Sequence, residues 1–155
     1  MVVLVHHGPA VGPDVDPTRP LSAEGLDDVK VLADAMADKG LKPHAIWHSG
    51  KLRARQTAEA VWLACNPLAA FGAERGLQPA DPPEWMRDRL AGETRDIVVV
   101  GHMPHLPALL ALLTGVSGAE VHFPVHGCVA LADDDGRWVE AWRVVHPERT
   151  ERPGR

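Results

Sequence analysis

Two stretches, "VVLV" at residues 2–5 and "IVVV" at residues 97–100, are unbroken runs of branched aliphatic residues, and they constrain the fold of this 155-residue chain most. A strand with one wet face alternates apolar and polar residues. A run with no polar member must be covered on both faces, as in a parallel sheet under two layers of helices. Each run then meets histidine, glycine and proline, in "VVLVHHGPA" and "IVVVGHMPHL".

The intervening segments supply the helices. Ser22 can cap one whose first turn carries Glu24 and Asp27, with Leu26, Val29, Ala33 and Met36 along one face, ending at Lys39-Gly40. Ala45 to His48 reads as a second short strand. From Lys51, the spacing of Ala54, Ala58, Val61 and Trp62 predicts a helix that Asn66-Pro67 stops. Residues 66–83 read as irregular, Glu84 to Ala91 as one short helix, and residues 104–113 as a helix opened by Pro104 and ended by Gly115. Val125 to Ala132 and Arg137 to Val144, joined by Asp133-Asp134-Asp135-Gly136, predict a closing hairpin. Strands alternating with helices make this an α/β protein, a three-layer αβα sandwich with a mostly parallel central sheet and a C-terminal antiparallel hairpin. One domain is expected over residues 1–145, followed by a polar tail over 146–155.

Composition excludes several functions. Net charge is −5 with the basic residues scattered, so neither nucleic acid nor an anionic membrane surface is an expected partner. The longest apolar runs are too short to cross a bilayer and the first residues lack signal-peptide character, which makes the cytoplasm the expected location. Cys65 and Cys128 form no motif and read as small buried residues in a reducing compartment.

In open α/β sheets ligands sit at the carboxyl ends of the strands, where His6, His7, His48 and His102 would all fall. Residues 8–20, with four prolines, form a loop long enough to fold over such a site. The blocks "VHHGPA", "TRPLSAEG", "HSGKLRARQTAEA" and "VVGHMPHL", in this order, span nearly the whole chain. They resemble the histidine phosphatase superfamily (phosphoglycerate mutase-like), and most of all its SixA-type phosphohistidine phosphatase branch.

That resemblance implies a phosphatase that needs no metal or other cofactor and works through a covalent phosphohistidine intermediate. It makes His7 the nucleophile, with Arg19, Arg53 and His102 completing the catalytic set, and it makes His6, His7, Arg19, Arg53 and His102 the phosphate pocket. Such chemistry suits the residues. A neutral imidazole is a competent nucleophile near pH 7, and two guanidinium forks can hold the equatorial oxygens of a transferring phosphoryl group. The implied partner is a phosphorylated protein, probed first as protein phosphohistidine, or else a small phosphorylated substrate. Gln56 and Thr57 read as helix packing, Arg55 as a solvated face, and His105 as exposed. His126 and His48 are candidate pocket neighbours.

The chain departs from the family pattern at His6, where arginine is usual, and at His48, with Ser49-Gly50 replacing Ser-Pro. If their strands were neighbours, His6 and His48 would lie side by side. Three readings of that pair are open: a pH-sensitive substitute for the arginine, a metal site, or a degenerate pocket that binds a phospho-ligand without turnover. Asp81 and Glu84 are the candidate general acids. Phosphohistidine leaves as imidazole, a better leaving group than alkoxide, and so depends less on such an acid.

Overall fold

The structure, a computed structural model, describes residues 1–146, so the expected polar tail lies outside the described residues from position 147 onward. The elements follow in the order β1 (Val2–His6), α1 (Ala23–Asp38), β2 (Ala45–His48), α2 (Leu52–Cys65), β3 (Ala70–Ala73), α3 (Pro83–Leu90), β4 (Ile97–Gly101), α4 (His105–Thr114), a 3₁₀ turn over Gly118–Glu120, β5 (Cys128–Asp134) and β6 (Arg137–Val144). One six-stranded sheet runs β3-β2-β4-β1-β5-β6. The first four strands of that order are parallel, and β5 and β6 add antiparallel pairs.

The aliphatic runs explain the layering. On β1 and β4, Val2, Leu4, Ile97 and Val99 face Met86, Leu90, Leu106 and Leu109 of α3 and α4. The alternate residues Val3, Val5, Val98 and Val100 face Leu32, Met36, Ala54, Ala58 and Val61 of α1 and α2. Each such side chain, withdrawn from water, stabilises the fold by about 1.5–3 kcal/mol, which is why both runs tolerate no polar residue until the sheet edge. Cys65 and Cys128 are free thiols inside this core, pushed up by burial to about 11 and about 12. Among the described residues no helix is long and apolar enough to cross a membrane.

Three local expectations change. The stretch read as irregular contains β3, a half-exposed edge strand in which Gly72 and three alanine or phenylalanine neighbours give no strand signal. Leu26 is 40% exposed, and Leu32 takes its place in the core. β5 begins at Cys128 because Pro124 cannot donate to a ladder and His126 adopts a left-handed backbone, φ 56°. The hairpin turn has positive φ at Asp135 and Gly136, the pair of angles a two-residue type I′ connection requires.

The loop after β1 is pinned rather than loose. Its two arms pair through Ala10 and Leu21, with the Val11 N–H donating to the Pro20 carbonyl at 2.9 Å. The Pro9 carbonyl accepts the Ser22 N–H at 3.0 Å, where α1 begins, and Ser22 caps the helix by accepting the Gly25 N–H at 2.9 Å. Any Cβ at Gly25 would strike the Pro9 carbonyl, so glycine is what allows the loop to lie against the helix.

Candidate active site

Strand order decides what meets at the carboxyl edge. β1 sits between β4 and β5, with His6 in register with Gly101 and Val5 with Cys128. The His7 N–H donates to the Gly101 carbonyl at 3.2 Å and the His6 N–H to the Gly127 carbonyl at 3.0 Å, so the strand ends are stitched together. Four imidazoles converge there. The His7 ring centroid lies 4.4 Å from His6, 5.0 Å from His102 and 6.0 Å from His126, and His6 stacks on His126 at 4.8 Å and 15°.

Backbone partners fix the protons on three of these rings. His7 Nδ1 lies 2.7 Å from the Gly8 carbonyl, which can only accept, so the proton is on Nδ1 and the lone pair on Nε2. His126 Nδ1 donates likewise to the His7 carbonyl at 2.6 Å, leaving its lone pair on Nε2. His6 is the reverse: its Nδ1 accepts the His126 backbone N–H at 2.8 Å, so its Nε2 carries the proton. Burial, then the neighbouring His7, push His6 down to about 2; burial chiefly pushes His7 down to about 4, against the Gly8 carbonyl. His102 falls to about 3, again mainly through burial. His6, His7 and His102 are therefore neutral at pH 7.

The cations come from two further elements. Arg53 stands in the first turn of α2, and its charge bears on His6, His7 and His102. Arg19 bears on His7 and Arg53; its backbone is left-handed, φ 47°, and its Nε donates to the Val11 carbonyl at 3.1 Å. Two buried polar atoms here have no protein partner: Arg53 Nε and His102 Nδ1. His102 Nε2 is 2.7 Å from the Ser49 hydroxyl, which in turn accepts the Lys51 N–H at 3.3 Å. Buried donors without an acceptor cost about 1–3 kcal/mol each, a cost that an anion's oxygens would relieve.

No family model matches the chain. Over 127 residues it is 32% identical to an uncharacterised protein of Picosynechococcus sp., across 79% of this chain and 76% of that one. Among solved structures it resembles the protein histidine phosphatase SixA complexed with tungstate, at 23% identity and TM-score 0.81 over 93% of this chain and 96% of that chain. It also resembles a structure described as a phosphohistidine phosphatase SixA from Agrobacterium tumefaciens, at 25% identity and TM-score 0.79 over 94% and 97%. The chain belongs to the histidine phosphatase superfamily.

Two residues read as packing tie this phosphatase's loops together. Thr57, fully buried on α2, donates to the Arg53 carbonyl at 2.8 Å and accepts the Gly8 N–H at 3.0 Å. Gln56 accepts the Leu21 N–H at 2.7 Å through Oε1, two residues after Arg19. The signal was a pair of polar residues one helical turn after Arg53, on the helix flank that faces the loop.

Other expectations are corrected by topology. His48 does not stand beside His6, because β4 separates their strands. Its Nδ1 accepts the Gly50 N–H at 3.0 Å, its ring lies 5.1 Å from Phe71, and Arg55 and Glu59 are the charges that reach it. A pH-sensitive His6–His48 pair is thereby ruled out, as is a metal held between them. A different trio, His6, His7 and His126, has one ring nitrogen each within 4.8 Å of the others. Within that trio, His6 Nδ1 already accepts the His126 backbone N–H. Arg55 is exposed as expected and also pairs with Glu59, whereas His105 is 2% exposed and not a surface residue. Asp81 spends its carboxylate on the Gln78 N–H at 2.9 Å, and Glu84 is exposed on α3.

Proposed function

We propose that this phosphatase hydrolyses phosphohistidine on a protein, through a phosphoryl group carried by His7. The observation that carries the reading is the juxtaposition of a lone pair on His7 Nε2 with two buried nitrogens, Arg53 Nε and His102 Nδ1, that lack protein partners. A nucleophile that is neutral, paired with donors awaiting oxygens, is the arrangement phosphoryl transfer asks of a protein.

In the first step His7 Nε2 attacks phosphorus in line, and the substrate nitrogen leaves with the electron pair of the broken N–P bond, as neutral imidazole from phosphohistidine whose other ring nitrogen carries a proton taken from solvent. Arg53, Arg19 and His102 hold the equatorial oxygens, and the His6 Nε2–H adds a neutral donor where the family has a guanidinium. With the Ser49 hydroxyl as hydrogen-bond donor to His102 Nε2, the His102 proton is on Nδ1, available to the oxygens. In the second step water attacks phosphorus and the electron pair returns to His7 Nε2. His7 leaves as a neutral imidazole because its proton stays on Nδ1, which donates it in a hydrogen bond to the Gly8 carbonyl. Among the described residues no carboxylate is recorded as bearing on His7, which favours a substrate that departs as imidazole over an alkyl ester. The tungstate held by the SixA structure is an oxyanion of the kind this pocket would take. Two buried, free thiols suit the reducing cytoplasm.

The test is phosphate release from a phosphohistidine-bearing protein, with chelator present, comparing the native chain with His7→Ala. Turnover by the native chain alone supports the reading. Turnover of a small phosphate ester but not of phosphohistidine would reassign the substrate, and tight vanadate binding with no turnover of either would make the chain a phospho-ligand binding module.

A further inference from the structure

We propose that Lys51 is a specificity-determining residue, receiving a carboxylate that flanks the phosphohistidine of the substrate protein. The inference rests on the protein-phosphohistidine reading above and names the kind of segment the site takes, an acidic one.

The argument begins with where Lys51 stands. It is the half-buried N-cap of α2, two residues before Arg53, and its backbone N–H donates to the Ser49 hydroxyl at 3.3 Å. That hydroxyl is 2.7 Å from His102 Nε2, so a single side chain links the Lys51 backbone to an imidazole of the phosphate pocket, and the Lys51 charge bears on that ring. Nothing at this end of the helix balances it. The first turn of α2 holds no acidic residue and no side chain caps it, although a helix N-terminus favours negative charge and is poorly served by cations.

The pattern of ion pairs points the same way. On the surface, Arg55, Arg87, Arg95 and Arg143 pair with Glu59, Asp88, Glu93 and Glu140. Among the described residues no carboxylate pairs with Arg19, Lys51 or Arg53. Three cations without carboxylate partners therefore gather at the neutral imidazoles. A phosphoryl group carries at most two negative charges at pH 7, which Arg19 and Arg53 match. Lys51 is one positive charge in excess, and a carboxylate on a residue beside the phosphohistidine supplies its counter-charge. A point charge on a flexible stem suits that task, because a flanking carboxylate varies in position from one protein segment to another, whereas the phosphoryl oxygens do not.

Steady-state hydrolysis of two phosphohistidine peptides of one sequence, flanked by aspartate or by asparagine, measures the preference, with phosphoramidate as a substrate that has no flanking residue. The native chain should favour the aspartate peptide by about three- to ten-fold in kcat/KM, carried by KM, the scale of one partly screened charged contact. Added salt should shrink the preference. Lys51→Met should bring the two peptides level, Lys51→Arg should keep the preference, and Lys51→Glu should reverse it. Equal kcat/KM on both peptides in the native chain would overturn the inference and leave the protein-substrate reading intact. A Lys51→Met loss on phosphoramidate as large as that on the aspartate peptide would also overturn it, making Lys51 a ligand of the phosphoryl group itself. Hydrolysis of phosphoramidate with neither peptide touched would overturn the protein-substrate reading, and the inference with it.

Discussion

The ends of β1 and β4 are neighbours in register and read alike in sequence, yet they hold their histidines by different means. At the end of β1 the ring protons of His6 and His7 are set by main-chain groups, the His126 N–H and the Gly8 carbonyl. At the end of β4, His102 is set by a side chain, Ser49, and keeps a buried Nδ1 with no protein partner. Main-chain partners cannot be lost by substitution; a hydroxyl can. The nucleophile candidate thus sits on the more rigid side of the site and the oxygen-binding imidazole on the adjustable one.

The sharpest way to break that contrast is to delete one ring on each side. His7→Ala should reduce phosphate release to background while leaving the melting temperature nearly unchanged; residual turnover above background would remove His7 from the nucleophile's place. Next comes Arg53→Ala, where loss of a charged donor to the transferring oxygens should lower kcat/KM by roughly a hundred- to a thousand-fold, measured by steady-state phosphate release. Ser49→Ala tests the adjustable side directly. Freed of its hydroxyl, His102 can take either tautomer, and a drop of about ten-fold in kcat/KM is expected from one hydrogen bond. An unchanged rate would mean that the hydroxyl does not set the proton. Thr57→Val strands the buried Gly8 N–H, so about 1–3 kcal/mol of stability should be lost in denaturant titration.

A separate effect concerns pH. His6, His7 and His102 bind a proton near 6.5 when unfolded, but only near about 2, about 4 and about 3 in the fold. Between those values the unfolded chain holds more protons, so stability rises with pH there and is lost as pH falls below about 6.5. Thermal melts from pH 7 to 4.5 should show this decline, while kcat/KM should carry no ionisation from His6 or His7 between pH 5.5 and 8. An affinity for phosphate that falls through that range, beyond the ligand's own titration, would revive a charged His6.

The sequence carried the layers because an aliphatic run has one meaning: cover on both faces. It placed His7 and His102 at the carboxyl edge because each follows an aliphatic run, whereas Arg19 and Arg53 were candidates only through the resemblance of their blocks to the superfamily. It did not carry the neighbours of His6. Whether β1 lies beside β2 or β5 depends on crossovers that no window of residues encodes, and so His48 was paired with His6 in place of His126. β3 was illegible for a related reason: "AFGA" gains its strand character only from the edge of β2 to which it adds. The loop ties made by Gln56 and Thr57 are likewise long-range, and on a helix they resemble ordinary polar residues.

The two thiols lie in the core, their pKa raised by burial, and the charged or titratable groups of the described residues that bear on the His7 imidazole are histidines and arginines. Oxidants act on thiolates that are exposed and easily ionised, and here there are none to find. A phosphatase whose candidate nucleophile is an imidazole has no catalytic sulfur to lose, so peroxide that silences cysteine-dependent enzymes would leave that group intact.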